Sequence, residues 1–202
     1  FNCDQLYMEV DGNFPNHPAD PSNVNNLQEI IKLVQDNNLD FGVAFDGDAD
    51  RAVFIDDVGK IVSGSMMTTL IADYLSEKND NLKVVHNVNV SPHALSILKS
   101  KGVSLYRCKV GHSNIKALMK ELKADFGGEH SAHFYYKDNY FADSAILTLL
   151  MLMSIVSERG EKVSSMIDKY NFPPSSGEIN FTVEDVNISL NKIKTVFSGN
   201  FD

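Results

Sequence analysis

The stretch Phe41-Gly42-Val43-Ala44-Phe45-Asp46-Gly47-Asp48-Ala49-Asp50-Arg51 decides how the rest of the chain is read. Its first half is a short apolar run, the pattern of a buried strand. Its second half alternates three carboxylates with small residues and closes on an arginine. Like charges this close raise one another's pKa unless something positive sits among them. A hard divalent cation such as Mg²⁺, Mn²⁺ or Ca²⁺ suits oxygen ligands of this kind. The acidic loop then lies at the C-terminal end of a strand, where open α/β sheets bind ligands.

Three readings of the loop compete. An EF-hand wants a glycine after the third acidic position and a bidentate glutamate at position twelve. Arg51 and Asp57 stand there instead, which argues against calcium signalling. A solvated acidic turn would explain the spacing cheaply. The preferred reading is a metal site in a phosphoryl-transfer enzyme, where the cation offsets charge on the transferring group.

Upstream of this stretch, Leu6 to Val10 suggests a strand, and Asp11 to Pro18 is turn chemistry. Apolar residues at Leu27, Ile30, Ile31 and Val34 predict a helix within Asn23 to Asn37. Downstream, Ala52–Ile55 and Lys60–Val62 flank the turn Asp56-Asp57-Val58-Gly59, a hairpin pattern. A second alternation follows, with strands at 83–88, 103–108, 125–128 and 133–136 and helices at 66–75, 92–101, 112–122, 144–158 and 162–170. Ser91 and Pro92 are helix-start signals, and Asp143 is placed to cap the apolar helix that runs from Ala145. Such alternation predicts an α/β fold: consecutive three-layer α/β domains with mixed, mostly parallel sheets. The expected domains are 1–62, 63–172 and 173–202, the last opening on a strand at Glu178 to Val183 after a Pro- and Ser-rich linker. Both ends read as cut, so a fragment of a longer protein is expected.

The chain has 202 residues, a hydrophobic fraction of 43% and a net charge of −9. This balance, without any basic run, argues against a nucleic-acid or anionic-membrane partner. The apolar run Ala145–Val156 is too short to span a bilayer and reads as a buried helix. Cys3 and Cys108 belong to no CxxC pair, so zinc and redox motifs are unsupported and a reducing compartment, the cytoplasm, is expected.

Two further segments carry polar chemistry. Lys109-Val110-Gly111-His112-Ser113-Asn114 lies between a strand and a helix, where backbone N–H groups favour anions. Gly127-Gly128-Glu129-His130-Ser131-Ala132-His133 joins two glycines to groups able to hydrogen-bond vicinal hydroxyls. Taken alone, the first is better explained as an ordinary strand–helix turn, and a capped turn explains the second equally well. His86 and His93 read as ordinary surface histidines.

Together and in this order, the three segments resemble the α-D-phosphohexomutase family, and in particular its phosphomannomutase/phosphoglucomutase branch. Asp46 to Arg51 matches the family's metal loop, Asp-Gly-Asp-Gly/Ala-Asp-Arg, and Gly128 to His133 its sugar loop, Gly-Glu-x-Ser-Gly-His. The resemblance implies that Asp46, Asp48 and Asp50 hold Mg²⁺ and that Arg51 contacts substrate or an adjoining phosphate. It implies hydroxyl recognition by Glu129 and Ser131, and substrate binding by Lys109, Gly111, His112 and His133, with Arg51 and His112 as catalytic candidates. The substrate it implies is a hexose phosphate, of mannose or glucose. No Thr-Ala-Ser-His-Asn-like segment, the family's phosphoserine loop, occurs in these residues, so the fragment alone is expected to be inactive. Two departures stand out. Ala132 replaces the sugar loop's usual glycine, and Asn89 occupies a place where related enzymes carry lysine. Phosphoglucosamine mutase and a non-catalytic metal-binding module are the alternatives.

Overall fold

A computed structural model describes residues 2–175, 179 and 181–198. They fall into two compact units that divide between Phe172 and Pro173.

The first unit contains two sheets. The apolar run forms β1 (Phe41–Phe45), which pairs antiparallel with β2 (Ala52–Asp56), and β2 pairs antiparallel with β3 (Ile61–Val62). The helix α1 (Gln28–Asn37) covers this sheet, burying Val34, and ends where Asn38 turns left-handed. A 3-10 turn at Val24–Leu27 precedes it.

The second sheet has the order β5-β4-β6-β7-β8. Its strands are β4 (Lys83–Asn87), β5 (Ser104–Cys108), β6 (Phe126–Gly128), β7 (Phe134–Tyr136) and β8 (Ala142–Asp143). Parallel pairing is confined to β5-β4-β6, and β7 and β8 return antiparallel. The sheet is thus mixed. Parallel strands need helical crossovers, whereas β6, β7 and β8 are joined by short loops that force reversal.

Successive side chains of a strand face opposite ways, and the two faces carry different helices. Val84, Phe126, Phe134 and Tyr136 pack with α2 (Gly64–Ser76), α3 (Pro92–Ser100) and α5 (Ala145–Arg159). Val85 and Tyr135 pack on the other face with Ile115 and Met119 of α4 (His112–Leu122). The short helix α6 (Val163–Asp168) joins the larger core through Val163 and Met166. Asp57, in the turn of the first sheet's hairpin, accepts a hydrogen bond from Ser164 N at the start of α6, at 2.9 Å. In the second unit α7 (Val186–Val196) is capped by Asp185, which accepts from Ile188 N at 2.9 Å.

Several expectations are corrected. Leu6 to Val10 forms no strand: Tyr7 is left-handed at φ 55, and Tyr7, Met8 and Val10 are exposed with no sheet to join. Asp143 does not cap α5; it lies in β8 and pairs with Lys116 at 2.8 Å, while Ser144 accepts from Leu147 N. Only one face of α5 is buried, and Ile146 and Leu150 are half exposed. The strand expected at Glu178 to Val183 falls partly on residues outside the described set, and the described ones carry no strand. Both cysteines are free, and no helix among the described residues is long and apolar enough to cross a membrane.

Candidate functional site

Asp46 follows β1 directly and is 7% exposed, so its charge needs partners. Arg51 supplies them: its backbone N–H donates to Asp46 Oδ1 at 3.1 Å and its Nε to Oδ2 at 2.6 Å. The loop between closes through a turn, with Ala49 left-handed at φ 57 and its N–H donating to the Asp46 carbonyl. Asp48 is exposed and Asp50 half-buried. Burial alone would raise the Asp46 carboxyl, but the Arg51 backbone N–H and guanidinium outweigh it and hold it below the usual carboxylate range. Asp50 goes the other way. Burial raises it, the charges of Asp46 and Asp48 add, and His133 opposes.

One carboxylate oxygen from each of Asp46, Asp48 and Asp50 comes within 4.8 Å of the others. All-oxygen donors clustered this way fit a hard cation such as Mg²⁺, so the residues present suit the expected group. A second cluster, Asp50, His133 and Asp143, is less suited, because Lys116 already pairs with Asp143.

The segment after β6 turns back on itself at once. Glu129 N–H donates to the His133 carbonyl at 3.1 Å, and Ala132 N–H to the Glu129 carbonyl at 3.2 Å. Ala132 is buried and left-handed at φ 68, a conformation that favours glycine. Ser131 Oγ lies 3.0 Å from His133 Nδ1. Glu129 is 3% exposed; Asn87 Nδ2 donates to its Oε1 at 2.6 Å, and the Tyr135 hydroxyl to its Oε2 at 2.7 Å. The N-terminus of α2 presses against this loop so closely that a Cβ on Gly64 would come within 2.4 Å of the Glu129 and His130 carbonyls. Gly128 is equally tight, since its Cβ would meet Thr68 Oγ1 at 2.3 Å.

Pairing across the unit joins the two loops. Arg51 and His133 form a β-bridge, and Ala52 N–H donates to the Ala132 carbonyl at 3.2 Å. Side chains follow, with His133 Nε2 3.5 Å from Asp50 Oδ1 and His133 Nδ1 3.5 Å from Glu129 Oε2.

Lys109, Gly111 and His112 are placed by topology. In the parallel register Asn87 stands opposite Cys108, and His86 opposite Gly128. The segments after β5, β4 and β6 therefore leave the sheet at one edge. Exposed Lys109 and His112 share that edge with Glu129, Ser131 and His133. Among the described residues no hydrogen bond or ion pair joins them to those side chains. Asn89 lies on the same edge, exposed, its N–H donating to Asn87 Oδ1 at 3.1 Å.

His86 is not a surface histidine: it is 4% exposed, and burial lowers its imidazole below the ordinary value. His93 is half-buried, with Nε2 2.8 Å from the Tyr170 carbonyl. The residues that sequence reasoning missed are Asn87 and Tyr135, the partners of Glu129. Asn87 ends a strand on the edge where ligands gather, which was a usable signal. Tyr135 carried none, because it reads as a core aromatic.

Residues 63–171 match the family description "Phosphoglucomutase/phosphomannomutase, alpha/beta/alpha domain III", and residues 2–59 match the corresponding domain II. The chain belongs to this phosphoglucomutase/phosphomannomutase family, the α-D-phosphohexomutases. It is 36% identical to a phosphomannomutase of Methanocaldococcus jannaschii, over 93% of this chain and 42% of the relative. It is 34% identical to the phosphomannomutase/phosphoglucomutase of Pseudomonas aeruginosa, over 89% of this chain and 39% of that one. Among solved structures, a family protein from Burkholderia thailandensis superposes with a TM-score of 0.75 at 30% identity, covering 84% of this chain and 36% of its own. The chain thus spans about two-fifths of the length of the curated relatives it matches.

Proposed function

We propose that this chain supplies the metal loop and the sugar loop of an enzyme that interconverts hexose 6-phosphate and hexose 1-phosphate, mannose or glucose phosphates being the substrates. The observation that supports this most is the Arg51–His133 bridge, which brings the Asp46, Asp48 and Asp50 carboxylates beside the Glu129–His133 loop in one unit. A phosphoryl acceptor and donor that works on a sugar needs both.

In this reading Asp46, Asp48 and Asp50 hold Mg²⁺, which when bound offsets negative charge on the phosphoryl group. Arg51, its side chain one-third exposed, braces the loop through Asp46 and turns the rest of its guanidinium toward a phosphate oxygen. Glu129 accepts from sugar hydroxyls and Ser131 donates or accepts, so the sugar binds in either of two orientations. Gly111 lets the backbone approach the substrate, while Lys109 and His112 face the anionic group from the neighbouring strand end, and His133 and His112 are positioned to move a proton. The phosphoryl group passes through a phosphoserine to give a bisphosphorylated sugar. Since no segment here resembles the phosphoserine loop, the 202 residues alone do not turn over.

The test is an assay of the natural protein that contains these residues, with Mg²⁺ and a trace of hexose 1,6-bisphosphate. Conversion of mannose or glucose 1-phosphate to the 6-phosphate is expected. No turnover of either sugar removes the reading.

A further inference from the structure

Glu129 is a charged group in an unusual setting. It is 3% exposed, and no lysine or arginine among the described residues pairs with it. The short hydrogen bonds to its two oxygens come instead from neutral donors, one on each neighbouring strand, and His133 Nδ1 lies farther off, 3.5 Å from Oε2. Asn87 is the last residue of β4, Tyr135 lies in β7, and Glu129 follows β6, which runs between them. From the geometry we infer that Asn87 and Tyr135 are positioning residues that grip the Glu129 carboxylate from both sides and fix the direction in which it meets sugar hydroxyls. The inference rests on the hexose phosphate reading above.

Both donors are themselves fixed. Asn87 is 1% exposed, and its Oδ1 accepts from Asn89 N–H at 3.1 Å. That bond commits the amide oxygen to the backbone and leaves its NH₂ pointing at Glu129 Oε1, 2.6 Å away. An aspartate could not do this, because an ionised carboxylate has no proton to donate. Tyr135 is fully buried among Val85, Ile115 and Met119, and Lys116 Nζ sits 5.8 Å from its ring centroid. Its hydroxyl has little freedom and spends its proton on Oε2, 2.7 Å away. Burial and the bond to Glu129 both raise the phenol, so the proton stays on tyrosine.

Two of the roughly four lone-pair positions of an ionised carboxylate are used this way. Whatever direction is left for a substrate hydroxyl follows from those already occupied. A glutamate free to rotate would lose that preference and pay ordering entropy at each binding event.

A double-mutant cycle tests this in the natural protein that contains these residues. Glu129→Gln is expected to raise KM for the hexose phosphate. Asn87→Ala and Tyr135→Phe are each expected to raise KM by about five- to tenfold while kcat falls less than about threefold, the scale of a single hydrogen bond. In the Glu129→Gln background either change should add less than about twofold, because residues acting through one group are not additive. Tyr135→Phe removes a single hydroxyl and keeps the packed ring, so it carries the test if Asn87→Ala fails to fold. If Glu129→Gln raises KM but both variants leave KM unchanged, or multiply it independently of Glu129, the grip is overturned and the sugar-binding reading survives. If Glu129→Gln itself leaves KM unchanged, the reading of Glu129 as a sugar ligand falls, and the grip with it.

Discussion

The acidic loop and the Glu129–His133 loop, the proposed sugar loop, touch, yet they are built on opposite plans. The acidic loop is held at its base by one buried pair, Asp46 with Arg51, and leaves Asp48 exposed and Asp50 half-buried. The sugar loop is confined on every side, by α2 at Gly64, by Asn87 and Tyr135 at Glu129, and by a strained backbone at Ala132. The difference follows from what each would hold. A cation organises its own carboxylates and repays their repulsion when it binds. In the proposed reading sugar hydroxyls are neutral and weak partners, whose acceptors gain from being fixed in advance.

The contrast can be broken at either loop. Gly64→Ala drives a Cβ into two backbone carbonyls of the sugar loop, which cannot swing aside as a flexible side chain would. We expect a loss of about 2–3 kcal/mol, as overpacking of a tight contact costs, read as a lower Tm in thermal unfolding. Unchanged stability would show that α2 does not brace the loop. Asp48→Asn attacks the other loop. Being exposed, it should hardly move Tm, but titration with Mg²⁺ should show affinity weakened by about tenfold or more, roughly 1.4 kcal/mol. Equal affinity would break the assignment of the loop to a cation.

Asp57→Ala lies outside both loops and sharpens the comparison as a reference. It removes the acceptor at the start of α6, at a cost of about 1 kcal/mol. Burial would raise the Asp57 carboxyl, but the Ser164 bonds, with the nearby Lys162 charge, hold it below its ordinary value. A carboxyl lowered in the folded state contributes fully above its unfolded pKa and loses that contribution as pH falls through the folded one. Denaturation curves of wild type and variant should therefore differ at neutral pH and converge in acid. The smallest effect is expected for Ala132→Gly. Relief of a left-handed alanine is worth about 1–2 kcal/mol, and the added freedom of glycine in the unfolded chain cancels much of it. A net gain below about 1 kcal/mol in chemical denaturation is the outcome; a loss would mean the alanine is not strained.

Much of the architecture was legible in local pattern. The acidic loop, the strand before it and the hairpin after it follow from apolar runs and turn residues that act within a few positions. The Leu6–Val10 strand failed for the same reason that these succeeded: β-propensity needs an adjacent edge to pair with, and none reaches that segment. Asp143 carries cap chemistry just before the helix, but Ser144, one place later, carries it too and is the residue that caps. His86 shows the limit for single residues, since nothing in its immediate sequence distinguishes a buried histidine on a strand from an exposed one.

Residue spacing alone reveals three carboxylates crowded at the end of a strand and a glycine-rich polar loop after a second one. Charge repulsion and turn chemistry are short-range and can be read from spacing. Only the tertiary structure decided that Arg51 pairs with His133, that the ends of β4, β5 and β6 share an edge, and that Glu129 is buried between Asn87 and Tyr135. Those facts depend on strand order and register, which are set by packing between residues far apart in the chain, and no local pattern carries them.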